Sequence, residues 1–388
     1  MPSGSTPSPS MRSNVDPFRA MDVLSAANRM IEAGAPVISL AVGQPSAPAP
    51  ARAMAAARAM LEHGRIGYTD ALGRVALRAR IARHYEETYG VSPGPDRIMV
   101  TTGSSAGFNL AFLAAFDAGD RVAIAAPGYP AYRNIMKALG LVPVEIEVGA
   151  DDAYILTAER LAEEHASAPI QGVLIASPAN PTGTVTPRDE LERLVRFCDQ
   201  AGIRFVSDEI YHGLTYGADT ASALEFSDRP IVVNSFSKYY CMTGWRCGWL
   251  VLPPELTRAA ERIGQNLYIS APDLSQGAAL AAFECRDELD GVRRQYETSR
   301  DLITEALPRL GFSEIAPIDG AFYAYARIPE RFDAASAMAS AALAEAHVAM
   351  TPGLDFDLSR GERFMRLSYA GDPAAIAEAI ERLDRWMR

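Results

Sequence analysis

Residues 172–211 read GVLIASPANPTGTVTPRDELERLVRFCDQAGIRFVSDEIY, and this stretch decides the fold class. It opens on a short apolar run, GVLIAS (172–177), and closes on another, IRFVSD (203–208). Between them lies an amphipathic segment of helix length with a marked start. Thr186 stands as the capping residue, Pro187 at the first helical position and Asp189 in the first turn. Strand, helix and strand in this order predict an α/β domain.

Working outward, the same alternation continues. IMVTT (98–102), RVAIAA (121–126) and PIVVNS (230–235) are further short apolar runs, and GWLVL (248–252) reads as one more. Most gaps between them hold an amphipathic helix-length stretch. The expected large domain is therefore a mostly parallel sheet flanked by helices on both faces. Upstream, the chain reads as a helix from after Pro17 to Ala33, a loop over 38–50, and helices over 51–62 and 74–88. From about residue 290 the texture changes. A long charged helix (286–309) leads to short strands around 312–328, a helix at 333–346, a strand near 363–369 and a last helix from 373. That pattern predicts a smaller α+β domain. The expected divisions are a disordered tail at 1–14, an N-terminal segment joining the small domain at 15–48, the large domain at 49–288 and the small C-terminal domain at 289–388.

Composition narrows the function classes. Of 388 residues 48% are apolar and 22% charged, the balance of a soluble globular protein. A net charge of −11 argues against broad binding to nucleic acid or to an anionic membrane. No apolar run is long enough to span a bilayer. The opening MPSGSTPSPSMRSNV has no apolar core and reads as a tail rather than a signal peptide. Cys198, Cys241, Cys247 and Cys285 form no C-x-x-C pair, which suits a reduced, cytoplasmic protein. The histidines at 63, 84, 165, 212 and 347 show no metal-ligand spacing, so no metal is expected; His212, next to Tyr211, reads as structural. Gly90-Val91-Ser92-Pro93-Gly94 matches the serine-hydrolase pattern, but it follows a helix and precedes a strand, so it reads as a loop. Of the 37 basic residues only Lys137 and Lys238 are lysines, so any chemistry that needs a lysine amine has two candidates.

In open α/β sheets ligands bind beyond the carboxyl ends of the strands. After 98–102 come Gly103, Ser104 and Ser105, small residues opening a helix whose N–H groups suit a phosphate. After 121–126 comes Tyr129, an aromatic ring. After 172–177 comes Asn180 in SPANPTG; strand 203–208 ends in Asp208, followed by Tyr211; and after 230–235 come Ser235 and Lys238. Singly each has a bland reading as a helix start, a core ring, a turn amide or a surface lysine. Together they place a phosphate site, an aromatic plate, an amide, a carboxylate, a phenol and a lysine on one edge.

The runs SPANPTG, SDEIY, SFSKYYCMTGWRCGW and RLSYA, in this order and spacing, resemble the class I/II aminotransferases of the aspartate aminotransferase fold, fold-type-I pyridoxal-phosphate enzymes. The likeness runs from about residue 17 to the end. It implies pyridoxal 5′-phosphate as cofactor, held by Lys238 as a Schiff base, and an amino group moved between an L-amino acid and a 2-oxo acid by ping-pong chemistry. It implies that Asp208 pairs with the pyridinium N–H, that Tyr211 and Asn180 bond the ring oxygen, and that Tyr129 stacks on the ring. The phosphate falls to Gly103, Ser104, Ser105, Ser235 and Arg246, with Tyr68 of the partner subunit, which makes the expected assembly a homodimer with shared sites. Arg366, Asn180 and the backbone near Gly43 hold the substrate carboxylate.

Two departures stand out. Phe356-Asp357 occurs where the family often has Phe-Gly, and no motif supplies a second arginine for a side-chain carboxylate, so aspartate is not implied as donor. Two other functions share the scaffold: a C–S β-lyase using the same lysine, and a non-catalytic cofactor sensor. The sensor reading lacks room for a DNA-binding domain before Gly43.

Overall fold

The structure is a computed structural model that describes residues 8–388; part of the expected tail, residues 1–7, lies outside the described residues. Residues 8–14 are exposed, with a single 3-10 turn at Met11–Ser13.

Twelve strands among the described residues form three sheets. β1 (Ile38–Ser39) stands apart from the large sheet, which is built from β2 (Ile98–Thr101), β3 (Arg121–Ala126), β4 (Val142–Glu147), β5 (Gly172–Ala176), β6 (Arg204–Asp208), β7 (Ile231–Ser235) and β8 (Gly248–Val251). Their spatial order is β2-β8-β7-β6-β5-β3-β4. Only β8 runs antiparallel to its neighbours, so six strands point their carboxyl ends at one edge. Inner strands β7 and β8 and edge strand β2 are buried throughout, which is why they read as apolar runs.

The small-domain strands are β9 (Tyr323–Arg327), β10 (Val348–Ala349), β11 (Thr351–Pro352) and β12 (Phe364–Ser368). β9, β12 and β11 make an antiparallel sheet, while β10 pairs in parallel with β1. That pairing ties the N-terminal segment to the C-terminal part of the chain. The long helix Arg286–Arg309 is continuous, so the expected division at 288/289 falls in its first turn.

The helix between β5 and β6 spans Arg188–Ala201 and buries Leu191, Leu194, Val195 and Cys198, the i, i+3, i+4, i+7 stripe. Its start corrects the reading from the sequence. Pro187, not Thr186, is the capping position, and no side chain caps the helix. Thr186 is instead held in the preceding loop, its N–H donating to Ser177 Oγ at 3.0 Å. β4 was not legible in the sequence at all. It is an edge strand, partly exposed, with a proline and two glutamates in VPVEIE. Edge strands tolerate Pro and charge because one face of their ladder and part of their side chains meet water.

Asp357, the departure from the family pattern, has a structural explanation. Its buried carboxylate accepts the N–H groups of Ser359 and Arg360 and pairs with Arg360 Nε at 2.8 Å. Arg360 then donates to the carbonyls of Ala126 (3.1 Å) and Val148 (3.0 Å) in the large domain. Beside it, Gly128 N–H donates to Phe356 O at 2.9 Å. The pair clamps this loop onto the strand end that leads to Tyr129. The Gly90–Gly94 stretch is a loop: Gly90 closes helix Val75–Tyr89 and a 3-10 turn at Pro95–Arg97 leads into β2.

Candidate active site

The register of the central strands sets the site. Asp208, the last residue of β6, pairs with Ala176 on β5 and Val233 on β7. The loops after these strands therefore emerge side by side, and they carry Asn180, Asp208 and Lys238. A second register brings the phosphate-type elements together. Thr101 pairs with Gly248, so the helix beginning at Gly103 starts next to the turn that holds Arg246. Gly103 has φ +75, and a Cβ there would collide with the Arg246 guanidinium.

These elements enclose a cavity of about 300 Å³. Gly43, Ser104, Ser105, Tyr129, Asn180, Asp208, Tyr211, Lys238, Arg246 and Arg366 all line it. Of the other expected residues, Gly103 lies just behind Ser104. Ser235 is set back: its hydroxyl donates to Cys247 O (3.0 Å) and lies 2.9 Å from Ser237 Oγ, and of these two Ser237 is the serine that lines the cavity. Tyr68 is 84% exposed and does not line the cavity of its own chain. His212 is buried behind the site, its Nδ1 2.6 Å from Tyr89 Oη. Lys137 is on the surface, paired with Asp16 at 3.0 Å.

The Lys238 amine donates to Gly43 O at 2.6 Å and lies 5.7 Å from the Tyr211 ring. Burial, with the positive charges of Arg366 and Arg246, pulls its pKa down to about 8, against the pull of Asp208 in the other direction. Asp208 is 3% exposed. Burial raises its carboxyl to about 6, opposed by hydrogen bonds from Tyr132 and from Ile210 N–H and by the charge of Lys238. Arg366 donates to Asn180 Oδ1 (3.0 Å) and Ala41 O (2.6 Å) and lies over the rings of Tyr323 (4.5 Å) and Phe356 (4.7 Å). Its Nε is buried and has no hydrogen-bond partner among the described residues. An orphaned guanidinium N–H at a cavity wall is a site for an anion, because leaving it unpaired is costly.

Several residues here escaped the reading from sequence. Tyr132 donates to Asp208 Oδ2. It stands one helical turn after Tyr129, so the i, i+3 spacing could have placed both on one face. Tyr323, on β9, shares a hydroxyl–hydroxyl bond of 2.8 Å with Tyr211. A Cβ at Gly43 would strike Tyr323 Oη, so only glycine lets the backbone approach the lysine there. Nothing local in the sequence pairs β9 with the 43 region. Phe18, Met21 and Leu24 also line the cavity, brought by helix Arg19–Glu32.

Comparison with known proteins gives the arrangement its context. Residues 35–383 match the family aminotransferase class I and II. The chain belongs to the class I and II aminotransferases. It is 48% identical over 381 residues to the valine–pyruvate aminotransferase of Mycobacterium tuberculosis, covering 97% of this chain and 98% of that one. A crystal structure of an aminotransferase from Mycobacterium tuberculosis superposes with a TM-score of 0.96 at 47% identity, covering 98% of this chain and 99% of that one. Aspartate aminotransferase from Thermus thermophilus, solved with maleate, superposes with a TM-score of 0.92 at 30% identity, covering 98% and 100%. The fold is thus the aspartate-aminotransferase-like fold type I, and the aminotransferase uses pyridoxal phosphate to move an amino group between an amino acid and a 2-oxo acid. The donor set fits that cofactor: a helix N-terminus with two serines and an arginine for a phosphate, a buried carboxylate for a cationic ring nitrogen, and a desolvated amine for an aldehyde.

The lowered lysine pKa gives a pH prediction. Only the neutral amine attacks an aldehyde carbon. With Lys238 at about 8, its neutral fraction passes through one half near pH 8 and levels off roughly two units higher. The rate at which the apoprotein captures pyridoxal phosphate should follow that curve, read by stopped-flow absorbance. Arg366→Leu removes a like charge and should move the midpoint upward. A midpoint at 10.5, the ordinary lysine value, would show that the amine is not desolvated.

Proposed function

We propose that the aminotransferase works as a homodimer in which Lys238 is both the anchor of pyridoxal phosphate and the base and acid of the amino transfer. The observation that carries this reading is the desolvated Lys238 amine at a cavity wall shared with buried Asp208 and with Arg366, whose Nε lacks a partner. When bound, the cofactor supplies an aldehyde that takes up the amino group and an electron-withdrawing ring that weakens the substrate Cα–H bond.

The chain's own residues then divide the work. Asp208 holds the ring nitrogen protonated, and Tyr132 fixes the carboxylate that does so. Tyr211, supported by Tyr323, and Asn180 bond the ring oxygen. Tyr129 covers a ring face. The helix N-terminus at Gly103, Ser104 and Ser105, together with Arg246, holds the phosphate. Ser235 acts there through Ser237. Arg366 grips the substrate carboxylate, with Asn180 and the Gly43 backbone alongside. Lys238, as a free amine at the cavity wall, would take the proton from the substrate Cα and hand it on as the acid of the transfer. The exposed position of Tyr68 suits a residue given to a neighbour, so the partner subunit's Tyr68 completes the phosphate site.

The test uses the cofactor-loaded protein and single amino acids with no oxo acid present. Stoichiometric conversion of the cofactor to its amine form, with one equivalent of 2-oxo acid released, is expected. Catalytic ammonia and pyruvate from a cysteine-like donor, with the cofactor band retained, would make the protein a lyase. No response to any amino acid would leave only a sensor.

A further inference from the structure

Part of the cavity lining is apolar. Phe18, Met21 and Leu24 come from the N-terminal segment, and Ile210 from the loop after β6. Their placement is built, not incidental. The first turn of helix Arg19–Glu32 has no cap of its own. Its Arg19 and Ala20 N–H groups donate instead to the carboxylate of Asp355, at 3.0 and 2.7 Å, across more than three hundred residues of sequence. Asp355 is 2% exposed and comes from the loop after β11. A buried carboxylate at a helix N-terminus satisfies two orphan donors and meets the positive end of the dipole. The helix is thereby fixed over the cavity, with the Phe18 ring set edge-on to Tyr129 at 6.0 Å between centroids.

Met21 is 51% exposed although it borders this cavity. An apolar side chain left open at a cavity mouth gains when an apolar group covers it. The charges point the same way. The cations lining the cavity are Lys238, Arg246 and Arg366. The proposed reading employs all three, on the cofactor aldehyde, the phosphate and the α-carboxylate. Among the described residues no further cation lines the cavity for a second carboxylate, and an unpaired carboxylate against Phe18 and Leu24 loses its water without return.

We infer that the amino donor carries an uncharged apolar side chain, and that Phe18, Met21 and Leu24 are the residues that select it. This rests on the aminotransfer reading above, and adds the substrate class to it. Alanine has only a methyl group and reaches the wall least, whereas leucine and valine extend toward it.

The experiment is the same half-reaction run over a panel of donors, with kcat/KM read for each from the cofactor absorbance. Leucine and valine should exceed aspartate and glutamate by at least about 100-fold, since a missing charge partner leaves buried polar groups unpaired. The double variant Phe18→Ala, Met21→Ala should lower kcat/KM for leucine by about tenfold or more and change that for alanine by less than about threefold. Aspartate or glutamate reacting as fast as leucine would overturn the inference, and would mean that a partner subunit brings the missing cation. Equal losses for leucine and alanine in the double variant would also overturn it, because the wall would then serve folding or closure rather than selection. The wild-type panel decides the donor class even if the double variant does not fold, and Leu24→Ala, expected to slow leucine more than alanine, then tests the residues, equal losses overturning their assignment. Conversion by no amino acid at all would instead sink the aminotransfer reading on which the inference stands.

Discussion

Lys238→Ala should abolish the absorbance band of the lysine-bound cofactor and lower turnover by at least about 10⁴-fold, while Lys137→Ala should leave both within about twofold. The first loss combines two roles. In the proposed reading the lysine is the covalent anchor, and among the described residues it is the only lysine amine lining the cavity and so the one placed to move the substrate Cα proton. Acid–base catalysis alone is typically worth about 10²–10⁴, and removal of the nucleophile adds to it. Lys137 is a fair control because its partner is Asp16 on the surface, with 38% and 42% of the two side chains exposed. A surface pair of that kind contributes about 0–1 kcal/mol. The check is an absorbance spectrum of each purified variant with added pyridoxal phosphate, followed by turnover. A retained band in Lys238→Ala, or its loss in Lys137→Ala, would reverse the assignment.

Asp208→Ala is expected to weaken cofactor binding and to slow the half-reaction by about 10³-fold. In the proposed reading its charge would keep the cofactor's ring nitrogen cationic while negative charge develops on the substrate carbon. Removing one preorganised group of this type typically costs about 10²–10³ in rate, and a full charge in a buried setting is worth at least the upper figure. Tyr132→Phe gives the matching milder case. It removes a hydroxyl donor to Asp208 Oδ2, leaves the carboxylate, and still leaves Ile210 N–H on Oδ1 at 3.1 Å. Rates of single-turnover conversion, measured at saturating cofactor, separate the two variants. Near-wild-type conversion in Asp208→Ala would mean that another group holds the ring nitrogen.

Much of the molecule was legible along the chain, and for local reasons. Buried parallel strands need continuous apolar runs, so β2, β3, β5, β6 and β7 announced themselves. The residue after such a strand falls at the functional edge, so Asp208, Asn180 and Lys238 could be placed before any contact was known. Scarcity helped as well: with two lysines in the chain, the one that follows a strand stands out.

What stayed hidden depends on residues far apart in sequence. Edge strand β4 was missed because water relaxes the demand for apolar residues on both faces. The true first residue of helix Arg188–Ala201 depended on Ser177 holding Thr186. Tyr323 reaches Tyr211, Asp355 caps a helix more than three hundred residues away, and Asp357 with Arg360 clamps one domain to the other. The sequence by itself determined most of the strand-and-helix order, the edge where Asn180, Asp208 and Lys238 gather and the lysine that stands there, because these follow from periodicity and from what lies next to what along the chain. Only the tertiary structure decided which side chains complete the shell around that lysine, whether Ser235 or Ser237 lines the cavity and which apolar residues border it, because each of these is a contact between segments that no local pattern ties together.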